Sequence, residues 1–289
     1  MRNFNYKKSN KGPLPNLIII GAAKCGTTSL HYYLGLHPEI SMSREKELNF
    51  FIGKSNWDKG IEWYRSNFRG HSKIHGESSP AYTTYPFLRG VPARMHSILP
   101  GVKLIYSVRD PIDRIISQYI HNYTTGLEHR KIEDALNQLD NNRYVYRSKY
   151  FTQLEQYMAY FQKSNIQITT LEDLQNNRMQ TLKTIFHFLG VDETFYSPKF
   201  NQIRHKSSEK GRKSRMGLIL KRLSDTKVAK IFSTDTRIRV GRIAYLPFST
   251  KIERPALSDS LRERLAEYLI DDITRLREYT GHEFKDWCV

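Results

Sequence analysis

The chain has 289 residues, 39% of them hydrophobic, and a formal net charge of +17. That apolar content suffices for the core of one large or two smaller α/β domains, and the positive excess predicts an anionic partner: nucleotide, nucleic acid, acidic glycan or membrane surface. Cys25 and Cys288 stand far apart, which excludes a disulfide framework or a cysteine metal site and predicts a reduced, cytoplasmic location. Residues 1–16 are polar and basic and end in Gly12-Pro-Leu-Pro15; with no apolar core of a secretory signal, they read as a flexible tail before a domain at 17–289. No apolar run reaches the roughly 18 residues of a membrane span.

The first element is the apolar run Leu17–Ile20, which ends at Gly21 and passes through Ala22-Ala-Lys24-Cys25-Gly26 into Thr27-Thr28-Ser29-Leu30. A strand handing over to a helix through glycines, a lysine and hydroxyls is a phosphate loop. The helix start offers N–H groups and the positive end of its dipole, and Gly21 and Gly26 permit the tight turn. In a P-loop the lysine follows the second glycine and a hydroxyl holds Mg²⁺; here Lys24 precedes Gly26. A plain buried strand and turn with an incidental lysine is the alternative. The helix is expected over 27–36, with Leu30, Tyr33 and Leu34 on one face, ended by His37-Pro38.

Next, Arg44-Glu45-Lys46-Glu47 precedes Phe50-Phe51. A carboxylate there suits a general base, although an exposed Lys/Glu turn is the simpler reading of these residues alone. Trp57, Trp63, Tyr64 and Phe68 are expected in the core or in a substrate wall, and Gly76–Tyr82 as a short strand running into a loop. A helix is predicted over 91–99, then a second strand-to-helix junction: strand 104–108, Arg109 at its end, and Pro111 opening a helix with Ile112, Ile115, Ile116 and Tyr119 as its apolar stripe. Ligands of open α/β sheets bind beyond the carboxyl ends of strands, so Arg109 either grips a ligand or pairs with Asp113.

A helix over 150–161, a strand over 166–171 and a helix over 179–189 closed by Gly190 continue the alternation. This predicts an α/β fold, a single domain with a central, mostly parallel sheet flanked by helices. Residues 204–215 form a basic loop suited to clamping phosphate, and 216–232 an amphipathic basic helix that packs on the core, covers the site or rests on a membrane surface. Ser260 and Glu263 have capping-box spacing ahead of a helix packing through Leu261, Leu265, Leu269, Ile273 and Leu276.

Taken together, these segments resemble sulfotransferases that use 3′-phosphoadenosine 5′-phosphosulfate (PAPS) and release its desulfated product, PAP. They look most like the glycan branch that includes the heparan sulfate N- and 3-O-sulfotransferases. The resemblance runs from about Leu17 to Leu189 and returns near the last helix. It implies that Lys24, Cys25, Gly26, Thr27, Thr28 and Ser29 hold the 5′-phosphosulfate, that Arg109 and Ser117 hold the 3′-phosphate, and that Lys210, Gly211 and Arg212 close over the nucleotide. Glu45-Lys-Glu-Leu-Asn-Phe-Phe51 matches the family segment whose second glutamate is the base, so Glu47 takes that role. The implied reaction is in-line sulfuryl transfer to a hydroxyl or amine, with Lys24 stabilising the leaving phosphate and no metal. The implied acceptor is a sugar or glycan, with a glycolipid or small hydroxylated metabolite as further options.

Some features depart from the family. Glu77 is followed by Ser78 where the family has a lysine that engages the anionic sugar. The cysteine pair around the last loop is absent, segment 216–232 is extra, and the Golgi anchor is missing, as expected of a soluble bacterial-type member. The rivals are an ATP- or GTP-dependent kinase or NTPase with Asp110 on Mg²⁺, which the lysine position disfavours, and a basic nucleic-acid-binding module, which no recognised motif supports.

Overall fold

A computed structural model of the protein describes residues 12–202, 211–213, 249–251 and 254–289. Lys210, the amphipathic segment 216–232, the rest of the basic loop and residues 1–11 lie outside the described residues.

Strand β1 (Leu17–Gly21) is buried at every position. It forms the middle of a five-stranded sheet with β2 (Ile40–Met42), β3 (Ile74–Ser78), β4 (Lys103–Val108) and β5 (Ile166–Thr170), in the order β2-β3-β1-β4-β5. Every pairing is parallel. A parallel sheet needs helices on both faces, which is why these strands are continuous apolar runs. One face carries Ile18, Ile20, Leu104 and Tyr106 and is covered by α3 (Val91–Ile98), α7 (Tyr150–Met158) and the second half of the last helix, α10 (Asp259–Thr280). The opposite face carries Leu17, Ile19 and Ile105 and is covered by α1 (Thr27–Leu34) and α9 (Arg178–Leu189). Ile112, Ile115, Ile116 and Tyr119 of α4 (Pro111–Thr124) form a third cluster with α5 (Ile132–Ala135), α6 (Arg143–Tyr146) and the first half of α10.

The predicted α/β architecture with a parallel sheet is therefore the observed one. Boundaries differ locally. Helix α1 ends at Leu34, and the expected extension to Leu36 continues as tighter turns, with the N–H groups of Leu36 and His37 bonded to the carbonyls of Tyr33 and Leu34. The expected cap of α10 at Ser260 is corrected. Ser260 already lies within the helix, and the extended Ser258 accepts the N–H of Leu261 instead. Of the stretch read as a tail, residues 12–16 lie against the body: the carbonyl of Gly12 accepts from Arg65 of α2 (Gly60–Arg65), and Asn16 bonds the backbone of Lys73 and His75. Residues 211–213 of the basic loop form a strand, β6 (Gly211–Lys213), antiparallel to β7 (Ser249–Lys251).

Candidate active site

Three chain reversals meet at the carboxyl ends of neighbouring strands. The middle one is the loop from Gly21 to Gly26. Gly26 has φ 76°, and a β-carbon there would meet Leu171 at 2.7 Å, so glycine is required for both conformation and space. Gly26 also occupies the N-cap of α1, which has no side-chain cap and no acidic residue in its first turn. The positive end of the helix is thus left for an anion, with Thr27, Thr28 and Ser29 as the first helical residues. Lys24 has φ 76° in the same loop, a conformation that costs a side-chain-bearing residue about 1–2 kcal/mol.

The loop's carbonyls are held from below. Ser107 donates to the carbonyl of Cys25 at 2.6 Å and receives the N–H of Ala22 on its own carbonyl, also at 2.6 Å. Arg114 of α4 is wholly buried; it donates to the carbonyl of Ala23 at 3.4 Å, to Ser148 and to the carbonyl of Tyr144. Cys25 points inward. Its Sγ lies 3.7 Å from the Tyr150 hydroxyl, its N–H is bonded to the carbonyl of Ala22, and burial pushes its thiol up to about 11. Cys25 therefore serves as packing beneath the loop, and neither its thiol nor its N–H is turned outward to a ligand.

The second reversal follows β4, which pairs with β1. Arg109 ends the strand, and the Tyr150 hydroxyl beside Cys25 also donates to the Arg109 carbonyl at 2.8 Å, joining the two junctions. The Arg109 side chain bonds Asp113 at 2.8 Å, while its Nε is buried and without a partner among the described residues. Arg254 takes the other oxygen of Asp113. Asp110 caps α4 by accepting the N–H of Asp113 at 2.6 Å, and its second oxygen accepts the N–H of Cys288 at 2.6 Å. Both oxygens of Asp110 are thus engaged with the backbone, which gives this carboxylate a structural role at the start of α4. Ser117 lies further along α4 and is 8% exposed.

The third reversal lies on the other side of β1, around the end of β3. Glu47 is anchored there by its N–H on the carbonyl of Ser78, at 2.8 Å. Its φ of 65° and the 50° of Asn49 place two side-chain-bearing residues of one short segment in the left-handed region. The Glu47 side chain is 54% exposed and paired with Lys46 at 2.9 Å. Glu45 is exposed, whereas Glu77 has no exposed surface at all. Tyr64 and Phe68 belong to the core, with Trp57 and Trp63 packed partly buried against it.

The structure thus gathers Lys24, Gly26, Thr27, Thr28, Ser29, Arg109 and Glu47 at one edge of the sheet, in the order Glu47, phosphate loop, Arg109. Gly211 and Arg212 lie in β6, which contacts α4. Sequence reasoning missed Ser107, Arg114 and Tyr150, the supports of the loop. Arg114 carried a signal, as the charged residue set among Ile112, Ile115 and Ile116.

The α/β fold thus presents an uncapped helix start after one strand and an arginine after its neighbour. The chain belongs to the sulfotransferase domain family, which it matches over residues 14–239 and whose enzymes use PAPS. Its relatives include the membrane-associated sulfotransferase kil1 of Dictyostelium discoideum, 40% identical over 37% of this chain and 22% of that protein. The bifunctional heparan sulfate N-deacetylase/N-sulfotransferase 2 of Bos taurus is 31% identical over 62% of this chain and 22% of its own length. The heparan sulfate glucosamine 3-O-sulfotransferase 5 of Mus musculus is 32% identical over 66% of this chain and 58% of its own. The chain thus spans only 22% of the first two of these relatives. Among solved structures, a sulfotransferase from Alicyclobacillus acidocaldarius shares the fold with a TM-score of 0.68, covering 95% of this chain and 99% of that one at 22% identity. Among the described residues no helix is long and apolar enough to cross a membrane.

Proposed function

We propose that this chain, as a single catalytic domain over 17–289, transfers a sulfuryl group from PAPS to a hydroxyl or amine of a sugar in a glycan. The observation that carries this reading is a pair of junctions on adjacent strands that suit anions: the uncapped start of α1 with Lys24 in its loop, and Arg109, whose buried Nε has no partner among the described residues. These suit a nucleotide charged at both its 5′ and 3′ ends. Lys24, Gly26, Thr27, Thr28 and Ser29 hold the 5′ end, Arg109 and Ser117 the 3′ end, and the Lys210-Gly211-Arg212 stretch closes over it.

When bound, PAPS supplies an activated sulfuryl group and a phosphate as leaving group. Lys24 and the N-terminus of α1 stabilise the charge that grows on that phosphate, which is the same site the ground state occupies with less charge. Glu47 accepts the acceptor's proton; its exposure leaves it open to a substrate, and Lys46 lies beside it at 2.9 Å. The relatives named for heparan sulfate and the +17 net charge support an anionic glycan acceptor. The free cysteines, Cys25 and Cys288, support a cytoplasmic location.

The test is labelled PAPS offered to glycans, glycolipids and small hydroxylated compounds, with the wild type and Glu47→Gln. Transfer to glycan, reduced roughly 10²–10⁴-fold in the variant, is the expected result. Transfer confined to lipids or phenols overturns the acceptor. Mg²⁺-dependent nucleotide hydrolysis without sulfuryl transfer overturns the donor. Near-normal turnover by Glu47→Gln removes Glu47 as base.

A further inference from the structure

Glu77 sits in β3 opposite Ile18 of β1, fully buried among aromatic side chains. A carboxylate in such a place is costly unless its oxygens are hydrogen-bonded. Three hydroxyls meet it: Tyr64 and Tyr82 donate to Oε1 at 2.8 and 2.9 Å, and Ser79 donates to Oε2 at 2.7 Å. Two of these hydroxyls also accept. The N–H of Asn49 donates to Ser79 at 3.0 Å and the N–H of Phe51 donates to Tyr82 at 3.3 Å. A hydroxyl has one proton to give, so with an amide on its lone pair that proton is directed to the carboxylate. Both chains therefore run the same way, from main-chain N–H through hydroxyl to Glu77, and each bond polarises the next.

The amides at the outer ends of these chains belong to the segment 47–51, which carries Glu47. Left-handed conformations at Glu47 and Asn49 persist only where the surroundings over-determine them. Phe50 and Phe51 supply part of that constraint, stacked on and set edgewise against Tyr64 at ring distances of 4.2 and 5.3 Å. Aromatic packing fixes the depth of the segment. The directed bonds from Asn49 and Phe51 fix its rotation, and with it the direction in which the Glu47 side chain leaves the backbone.

We propose that Glu77 is a positioning residue: its buried carboxylate terminates two hydroxyl chains that fix the backbone of residues 47–51 and so set where the Glu47 carboxylate stands. This inference rests on the reading of Glu47 as the base. It gives a use to a second carboxylate, linked through two hydroxyls to the segment of the base and fully buried.

The test uses the full chain with Glu77→Gln, which keeps the side-chain size but presents an amide to Ser79, alongside Ser79→Ala and Tyr82→Phe, which each remove one link. Hydrogen exchange at the amides of Asn49 and Phe51 is read without turnover. Glu77→Gln is expected to speed exchange at both by about fivefold or more while β4 is unchanged. Ser79→Ala should affect mainly Asn49, and Tyr82→Phe mainly Phe51. Turnover by Glu77→Gln should fall about 10- to 100-fold, with PAP affinity held within about twofold. In a Glu47→Gln background the same change should cost less than about twofold, because residues acting as a unit are not additive. Unchanged exchange at both amides overturns the proposal, as does a full repeat of the turnover penalty in the Glu47→Gln background. If Glu47→Gln alone is near-normal, the assignment of the base fails instead, and the exchange rates still support or overturn the clamp by themselves. Should Glu77→Gln not fold, the two single-link variants carry the same exchange test.

Discussion

The junctions after β1 and β4 lie side by side at one edge of the sheet, and both turn a buried strand into a helix, yet the two helix starts are finished in opposite ways. Helix α1 begins at a left-handed glycine with no side-chain cap and no acidic first turn. Helix α4 begins with Asp110 as its cap, Pro111 in its first turn and Asp113 one step further, so its positive end is already filled by the protein's own carboxylates. An anion can be received at the first junction by main-chain N–H groups and the dipole. At the second it must be received by a side chain, and Arg109 is the group in place. One junction therefore suits a phosphate whose charge changes during reaction, close to rigid dipoles. The other suits a phosphate that only needs to be held.

Removing the cation from each junction separates these roles. Lys24→Ala should lower turnover roughly 10²–10³-fold, the usual cost of one preorganised electrostatic donor in a transition state. Affinity for PAP should fall much less, because the helix start remains; steady-state kinetics beside calorimetry reads both. Equal losses in turnover and affinity would assign Lys24 to holding the ground state. Arg109→Ala should show the converse, weakening PAP by about 10- to 100-fold, as for a lost charge-assisted hydrogen bond of about 1.5–3 kcal/mol, with turnover at saturating donor nearly unchanged. Unaltered affinity would sink the assignment of the second junction.

The two junctions also differ in how far sequence exposes them. The first was legible because its parts are contiguous: an apolar run, glycines, a lysine and hydroxyls fall within Leu17–Leu30. The strand, proline and apolar stripe of the second were legible too, since periodicity reports which face a residue occupies. What periodicity does not report is the partner across the fold. Both readings of Arg109 stood open from sequence, and the structure adds Arg254, 141 residues from Asp113 in sequence, to the same carboxylate. Ser107 and Tyr150, which hold the loop and Arg109 from beneath, are separated from Cys25 by 82 and 125 residues. Glu77 was illegible for a related reason. Nothing in its spacing reports that β3 turns its side chain into the aromatic core, where the Tyr64 hydroxyl from 13 residues away meets it. The cap of α10 failed on a two-residue ambiguity, because Ser258 and Ser260 are chemically alike and only the start of the helix distinguishes them.

The smallest predicted effect probes why α4 keeps an acid beside the arginine. Asp113 lies in the first turn of α4, where a carboxylate favours the helix by about 0.3–1 kcal/mol, and it accepts from both Arg109 and Arg254. Before a nucleotide arrives, it occupies the guanidinium that a 3′-phosphate needs. It is a third exposed, so its hold on Arg109 is that of a partly solvated ion pair, about 1 kcal/mol or less. Asp113→Asn keeps an acceptor in place but removes the charge that competes with the phosphate and repels it. PAP affinity should therefore rise, by up to about fivefold at low salt and less as ionic strength increases, while thermal stability falls slightly. Calorimetric titration at two salt concentrations separates this from the opposite case. If Asp113 chiefly orients Arg109 toward the nucleotide, affinity falls at both salts, and the second junction is a preorganised clamp whose carboxylate works with the ligand.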